Sequence, residues 1–252
     1  MKRLVDLLRI NEVRFTAIIL SVMTIAALIS LKGNLMSGGA VPCMYDIYLV
    51  GVMHVVSTFC VPFALFYILF VERYNQRPMQ VIREGRVINV WKRSVVDLFI
   101  LTVFFILYVF ILTTIAGLVL TDRFYNWNEL NSRCMAWSGR ICEEQPSFVL
   151  LLISYIVETF ETFLAAGIIM LGVWWGTNKE WAGYLASIAL ITVDKAGVCD
   201  GIIFSKYYIA GATYKKGLSI SNNVIYPLLA AIIVFALVNV LVRFKKKEFL
   251  GS

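Results

Sequence analysis

The sequence predicts an all-α, polytopic membrane protein with six transmembrane helices, an N-terminal amphipathic helix and a cytoplasmic coupling helix. The membrane class rests on three observations. Of the 252 residues, 60% are hydrophobic, against about 45–50% in soluble domains. Only 15% are charged, against about 25% ordinarily. Five apolar runs reach or approach the roughly 20 residues that a helix needs to cross a hydrocarbon layer about 30 Å thick. A soluble chain of this size could not bury so much apolar surface, because too much of a small domain stays exposed.

The elements follow in order. Met1 to Arg14 carries Lys2, Arg3, Arg9 and Arg14 with Asp6 and Glu12, and reads as an amphipathic helix. The first span is Phe15 to Leu31. Ser37-Gly38-Gly39-Ala40 loosely resembles a signal-peptidase site, but the apolar run exceeds the roughly 7–15 residues of a signal peptide, so a retained helix is expected. The second span is Ile47 to Val71, with Pro62 as an expected kink. The third is Val95 to Leu120, and the fourth is Phe148 to Trp175. Trp181 to Val193 is shorter. It breaks at Asp194, Lys195, Gly197, Asp200 and Gly201 and reads as a fifth span followed by an irregular or re-entrant segment over 194–212. The last span is Val224 to Phe244. Residues 1–250 form one transmembrane domain, and Gly251-Ser252 reads as a fusion scar.

Charge sets the orientation. Fifteen of the 23 Lys and Arg fall in the N-terminal segment, the loop after the second span, Lys179 and the C-terminal tail. The remaining eight lie on the other side, so the positive-inside rule puts both termini in the cytoplasm. An even number of spans is then required. The net charge of +7 serves topology and anionic lipid, and nucleic acid is not an expected partner. Trp127, Trp137, Trp175 and Trp181 fall at or beyond span ends, where an interfacial belt is expected.

Cys60 lies inside the second span and reads as a small apolar packing residue. Cys43, Cys134, Cys142 and Cys199 map to the outer side, where disulfides are permitted. Cys134 and Cys142 share one loop and are a candidate pair, but four cysteines allow three pairings and the sequence does not choose.

The loop after the second span carries the most information. Val87, Val90 and Trp91 stand at helical spacing beside a row of cations, as in an amphipathic helix on the inner membrane surface. Such a helix either anchors the chain or docks a cytoplasmic partner. Arg83-Glu84-Gly85-Arg86, with Trp91 just before a hydrophobic span, resembles the Arg-x-Gly-x-Arg-x-x-x-Trp type loop of six-helix ABC exporter permeases, the ABC-2 type. The match departs from the pattern in that Arg86 follows Gly85 directly. As architecture the resemblance covers nearly the whole chain, but as sequence pattern only this loop. It implies a coupling helix that enters a groove of an ATP-binding subunit, with Arg83, Gly85, Arg86 and Trp91 as the coupling residues. It also implies a second permease chain, in a homodimer or heterodimer, with ATP and magnesium held by the partner subunit. The chain has no Gly-x-x-x-x-Gly-Lys-Ser/Thr phosphate cradle, so it is not expected to be an enzyme or to carry a cofactor.

Glu158 and Glu161 lie well inside the fourth span, three residues apart on one helix face. A charge there costs a few kcal/mol or more unless it is neutralised or faces a cavity. The pair is therefore a candidate for the translocation path, against the plainer reading of a protonated, hydrogen-bonded pair or a partner-facing interface. His54 is the only histidine, which leaves little basis for a metal site or a Ser/His/Asp triad. Glu143-Glu144 is an acidic pair in the outer loop and offers no intramembrane protease site. Gly172-x-x-x-Gly176 and Gly197-x-x-x-Gly201 point to close helix packing.

The expected function is the permease subunit of an ATP-driven exporter in a bacterial cell membrane. Among such permeases, a small, loop-poor chain resembles those that export, or give immunity to, antimicrobial peptides or drugs. The rival reading is a secondary carrier or a non-transporting membrane scaffold or immunity protein. A carrier commonly shows paired broken helices in two repeats, and only one broken segment is evident here.

Overall fold

The computed structural model describes residues 10–36, 39–76, 87–139, 141, 145–195 and 218–244. Among them the protein is a helical bundle without strands; Val41 and Ser132 form one isolated bridge. The helices are α1 (Ile10–Leu35), α2 (Met44–Val50), α3 (Val61–Asn75), α4 (Val87–Leu120), α5 (Arg133–Ser138), α6 (Phe148–Thr177), α7 (Glu180–Lys195) and α8 (Tyr226–Phe244). Among the described residues five helical stretches are long and apolar enough to cross a membrane: Phe15–Leu35, Met44–Arg73, Ile88–Leu120, Phe148–Thr177 and Ser221–Phe244. The expected fifth of six spans is represented by α7. Its 16 residues rise only about 24 Å, short of the hydrocarbon thickness. Its continuation and the greater part of the broken segment lie outside the described residues, as do Arg83, Gly85 and Arg86 of the expected coupling helix.

Two π-helical segments share one cause. Gly51–Cys60 joins α2 to α3, and Ser221–Ile225 leads into α8. In the first, the Val61 N–H donates to the Val56 carbonyl; in the second, the Tyr226 N–H donates to the Ser221 carbonyl. Each donor stands immediately before a proline, Pro62 or Pro227. A proline ring lacks a donor and crowds the carbonyl four residues back. Widening the preceding turn to five-residue bonding relieves that crowding while the backbone stays paired, as a membrane requires.

The third span starts earlier than its hydropathy suggests. Val90 and Trp91 are buried, and the amphipathic stretch from Val87 continues unbroken into α4. Trp91 donates its indole N–H to Asn239 Oδ1 at 2.8 Å and meets the Trp175 ring edge-on at 5.2 Å. These contacts tie the start of α4 to the ends of α6 and α8. Trp91→Phe keeps an aromatic ring and loses the donor, which should cost about 0.6–2 kcal/mol, read as a lower thermal unfolding midpoint in detergent.

At that same end Arg73 forms a two-pronged ion pair with Glu180, joining α3 to α7. The opposite end is closed by a folded cap that includes residues 121–139. Buried Asp46 accepts from the Cys43 backbone N–H at 2.9 Å and from the Trp127 indole at 2.8 Å. Asn126 donates to the Val41 carbonyl, and the Met44 N–H donates to the Arg123 carbonyl. Burial pushes the Cys43 thiol well above its usual range, making it a poor nucleophile. Burial corrects the expectation of four interfacial tryptophans at two of the positions. Trp137 and Trp181 are exposed, but Trp127 and Trp175 are inside the protein, Trp127 donating to Asp46 and Trp175 meeting the Trp91 ring.

Candidate functional site

Helix α6 is the hub of the bundle. It packs against α2, the first π segment, α3, α4, α7 and α8. A side chain facing inward from α6 is therefore enclosed by protein, and both candidate carboxylates do so: Glu158 is 3% exposed and Glu161 2%. They lie about 15 and 20 Å along a helix of about 45 Å, so the pair sits in its middle third. Neither faces lipid or the outer surface of the chain.

The site is built on spacing. Ser154, Glu158 and Glu161 stand four and three residues apart and stack on one face, with Thr162 at its edge. The Thr162 hydroxyl donates to the Glu158 carbonyl at 2.8 Å and lies 3.3 Å from Glu161 Oε2. Glu161 Oε1, Ser154 Oγ and Thr159 Oγ1 are buried and make no hydrogen bond among the described residues; the same holds for Thr102 Oγ1 on α4. Buried polar atoms without partners are rare. Four of them on two packed helices leave hydrogen-bonding capacity in the centre of the bundle.

Helix α7 adds a third carboxylate. Its buried residues are Gly183, Ser187, Ile191 and Asp194, a stripe at spacings of four, four and three. The stripe runs antiparallel along α6. A Cβ on Gly183 would lie 2.3 Å from the Met170 carbonyl oxygen, and the Ser187 hydroxyl donates to the Ala166 carbonyl at 3.0 Å. Continuing in that register, Asp194 comes near Glu161 and acts on it electrostatically. The sequence had marked Asp194 only as the residue that breaks the fifth span. The signal that could have found it is the same small-and-polar stripe, Gly183-x-x-x-Ser187-x-x-x-Ile191-x-x-Asp194. No family model matches the chain, and neither a curated protein nor a solved structure matches it.

The other sequence candidates fall elsewhere. Trp91 is at the end of the bundle that carries Arg73 and Glu180, far along α4 from the carboxylates. Cys134 is buried in the cap and Cys142 lies outside the described residues, so their pairing does too. Cys60 is fully buried, as a packing residue should be. The His54 side chain lies outside what is described, and among the described residues no three His, Cys, Asp or Glu side chains converge to hold a metal ion. Gly172 bears out the close-packing expectation: a Cβ there would lie 2.5 Å from Val238 Cγ1 on α8.

Proposed function

We propose that the chain is the membrane permease subunit of an ATP-driven exporter of the ABC-2 kind, with ATP hydrolysis on a separate subunit. The observation that carries this reading is the buried pair Glu158 and Glu161 in the middle of the hub helix, with Asp194, near the end of α7, acting on Glu161. Carboxylates are expensive to keep at that depth and mark substrate or ion pathways by default. Two further features support it. Helix α4 is 34 residues long, or about 51 Å, so it outruns the hydrocarbon. The loop bearing Arg83, Gly85 and Arg86 immediately precedes it in the sequence and, on this reading, lies beyond the membrane face. Trp91 then braces that end against α6, the helix that holds the carboxylates. On this reading, closure of paired ATP-binding subunits moves the loops, and the movement passes along α4 and α6 to open the centre of the bundle. A second copy or a related chain completes the transporter, in a bacterial cell membrane with both termini inside. Antimicrobial peptides or drugs are the proposed substrate class.

A non-transporting scaffold or immunity protein is the second reading. It is favoured by one observation: the open crevice on the bundle, between α6 and α8, does not reach Glu158 or Glu161. The two readings separate on co-expression with an ATP-binding subunit encoded beside this chain. The permease reading expects a stoichiometric complex in mild detergent that hydrolyses ATP, and Arg86→Glu should dissociate it. Clean isolation of this chain alone, under every nucleotide condition, supports the scaffold.

A further inference from the structure

The two π segments that precede prolines differ in length, and the difference has no proline behind it. Pro227 is preceded by five π residues, Ser221–Ile225. The equivalent stretch before Pro62 is 56–60, yet the π-helix there runs ten residues, back to Gly51. A proline crowds the carbonyl four residues back, here that of Thr58. It accounts for the turn it abuts and not for 51–55. A π-helix ordinarily appears as a single-turn bulge, frequently at a functional site. Because its bonds close over five residues instead of four, five residues of π-helix turn about as far as four of α-helix. The stretch 51–55 thus stores one surplus residue.

The two sides of this stretch are held unequally. Before it, α2 is fixed: all seven of its residues are buried. Tyr48 and Thr114 share a hydrogen bond at 3.0 Å, and a Cβ on Gly51 would lie 3.3 Å from Thr113 Cγ2. After it, α3 ends in the Arg73–Glu180 ion pair, which is partly exposed and therefore contributes about 1 kcal/mol or less. The Ser94 hydroxyl donates to Glu72 at 2.5 Å. Residues 61–71 carry no charge, and Tyr67 has the only polar side chain among them. Moving α3 on by one residue therefore exchanges one apolar side chain for another at nearly every buried place, at the cost of the Thr16–Tyr67 hydrogen bond.

We propose that 51–55 is a rotary hinge that passes between π-helix and α-helix, turning α3 by about 100° and advancing it by about 1.5 Å, one residue of α-helix. Both forms keep the backbone paired, as a membrane requires, so they are alternative packed states of one span. In the second state Glu72 leaves Ser94 and takes the place of Arg73 beside Glu180. Glu180 thus favours the first state twice, by attracting Arg73 and by repelling Glu72. The hinge does not rest on the permease reading; on that reading it is the element that the loop after α3 turns.

Fluorine NMR of the full chain labelled with 5-fluorotryptophan, in mild detergent, tests this. Trp181 on α7 reports, because its ring lies 6.1 Å from that of Phe66 on α3 and meets a different residue when α3 turns. Trp181→Phe assigns its line. Trp127, held in the cap by Asp46, is the fixed reference. Saturation transfer should reveal a minor Trp181 state at about 1–10% and a single Trp127 state. Glu180→Gln should raise the minor population by about fivefold, the factor for an exposed ion pair at its strongest. Deleting Val55 removes the surplus residue, so that variant should fold and show the major Trp181 line alone. A single Trp181 state in both the wild type and Glu180→Gln overturns the proposal. So does splitting of Trp127 together with Trp181, which is heterogeneity of the whole chain. A Val55 deletion that unfolds, or that keeps the minor line, shows that 51–55 holds no spare residue and overturns it as well.

Discussion

Gly183→Leu should leave little folded protein, and Gly183→Ala should lower the thermal unfolding midpoint in detergent. A glycine in a helix interior ordinarily costs about 1 kcal/mol relative to alanine, so alanine might be expected to help. The obstacle is what the new Cβ meets. It would sit 2.3 Å from the Met170 carbonyl oxygen and 3.1 Å from both the Trp174 backbone nitrogen and Cβ. Two of those atoms are backbone and cannot rotate aside, so α7 must move off α6. Overpacking of this kind costs about 1–3 kcal/mol, more for a larger side chain. The displacement also disturbs the Ser187 bond to Ala166 and the approach of Asp194 to Glu161. Gly33→Ala is the control. Nothing lies within 4 Å of its Cβ position, so that variant should be neutral or stabilised by up to about 1 kcal/mol. Equal behaviour of the two alanine variants would mean that α7 does not dock on α6 through Gly183.

Glu158→Gln combined with Glu161→Gln should change ATP-driven transport, or the ATP hydrolysis it stimulates, by about fivefold or more, the lower end of coupling between distinct sites. Glutamine keeps the length and hydrogen-bonding capacity of each side chain, including the contact of Thr162 with position 161, and removes the ability to carry charge. The fold and the complex with the ATP-binding subunit should therefore persist, so the readout is activity per assembled complex. Wild-type transport and hydrolysis in the double variant would make the pair a structural feature of the hub helix.

The spans were legible because a bilayer imposes a length and a composition on each crossing. The fourth, Phe148 to Trp175, differs from α6 only at its final residues. The burial of Glu158 and Glu161 followed from the cost of charge at depth. Three features were less legible, each for a physical reason. The early start of α4 was hidden because Lys92 and Arg93 lower the local hydropathy, although Val90 and Trp91 just before them pack inward. Pro62 announced a distortion, but Pro227, which has the same effect on the last span, was lost near the start of a strongly apolar run. The cap depends on Asp46 reaching Trp127, 81 positions away. Local periodicity carries no record of such a pairing, so the cap's tertiary contacts were not legible in the sequence. Asp194 was seen as a break rather than a partner for the same reason: its neighbour is on another helix.

The central claim is that the loop after α3 meets an ATP-binding subunit on the cytoplasmic side. Cysteine crosslinking in native membranes tests it most directly, with Arg86→Cys in this chain and single cysteines placed along the groove of the ATP-binding subunit. The account predicts an adduct of the two chains whose yield changes with nucleotide, and an Arg86→Cys thiol that a membrane-impermeant maleimide does not label from outside intact cells. Labelling from outside, or no adduct with and without ATP, would contradict it.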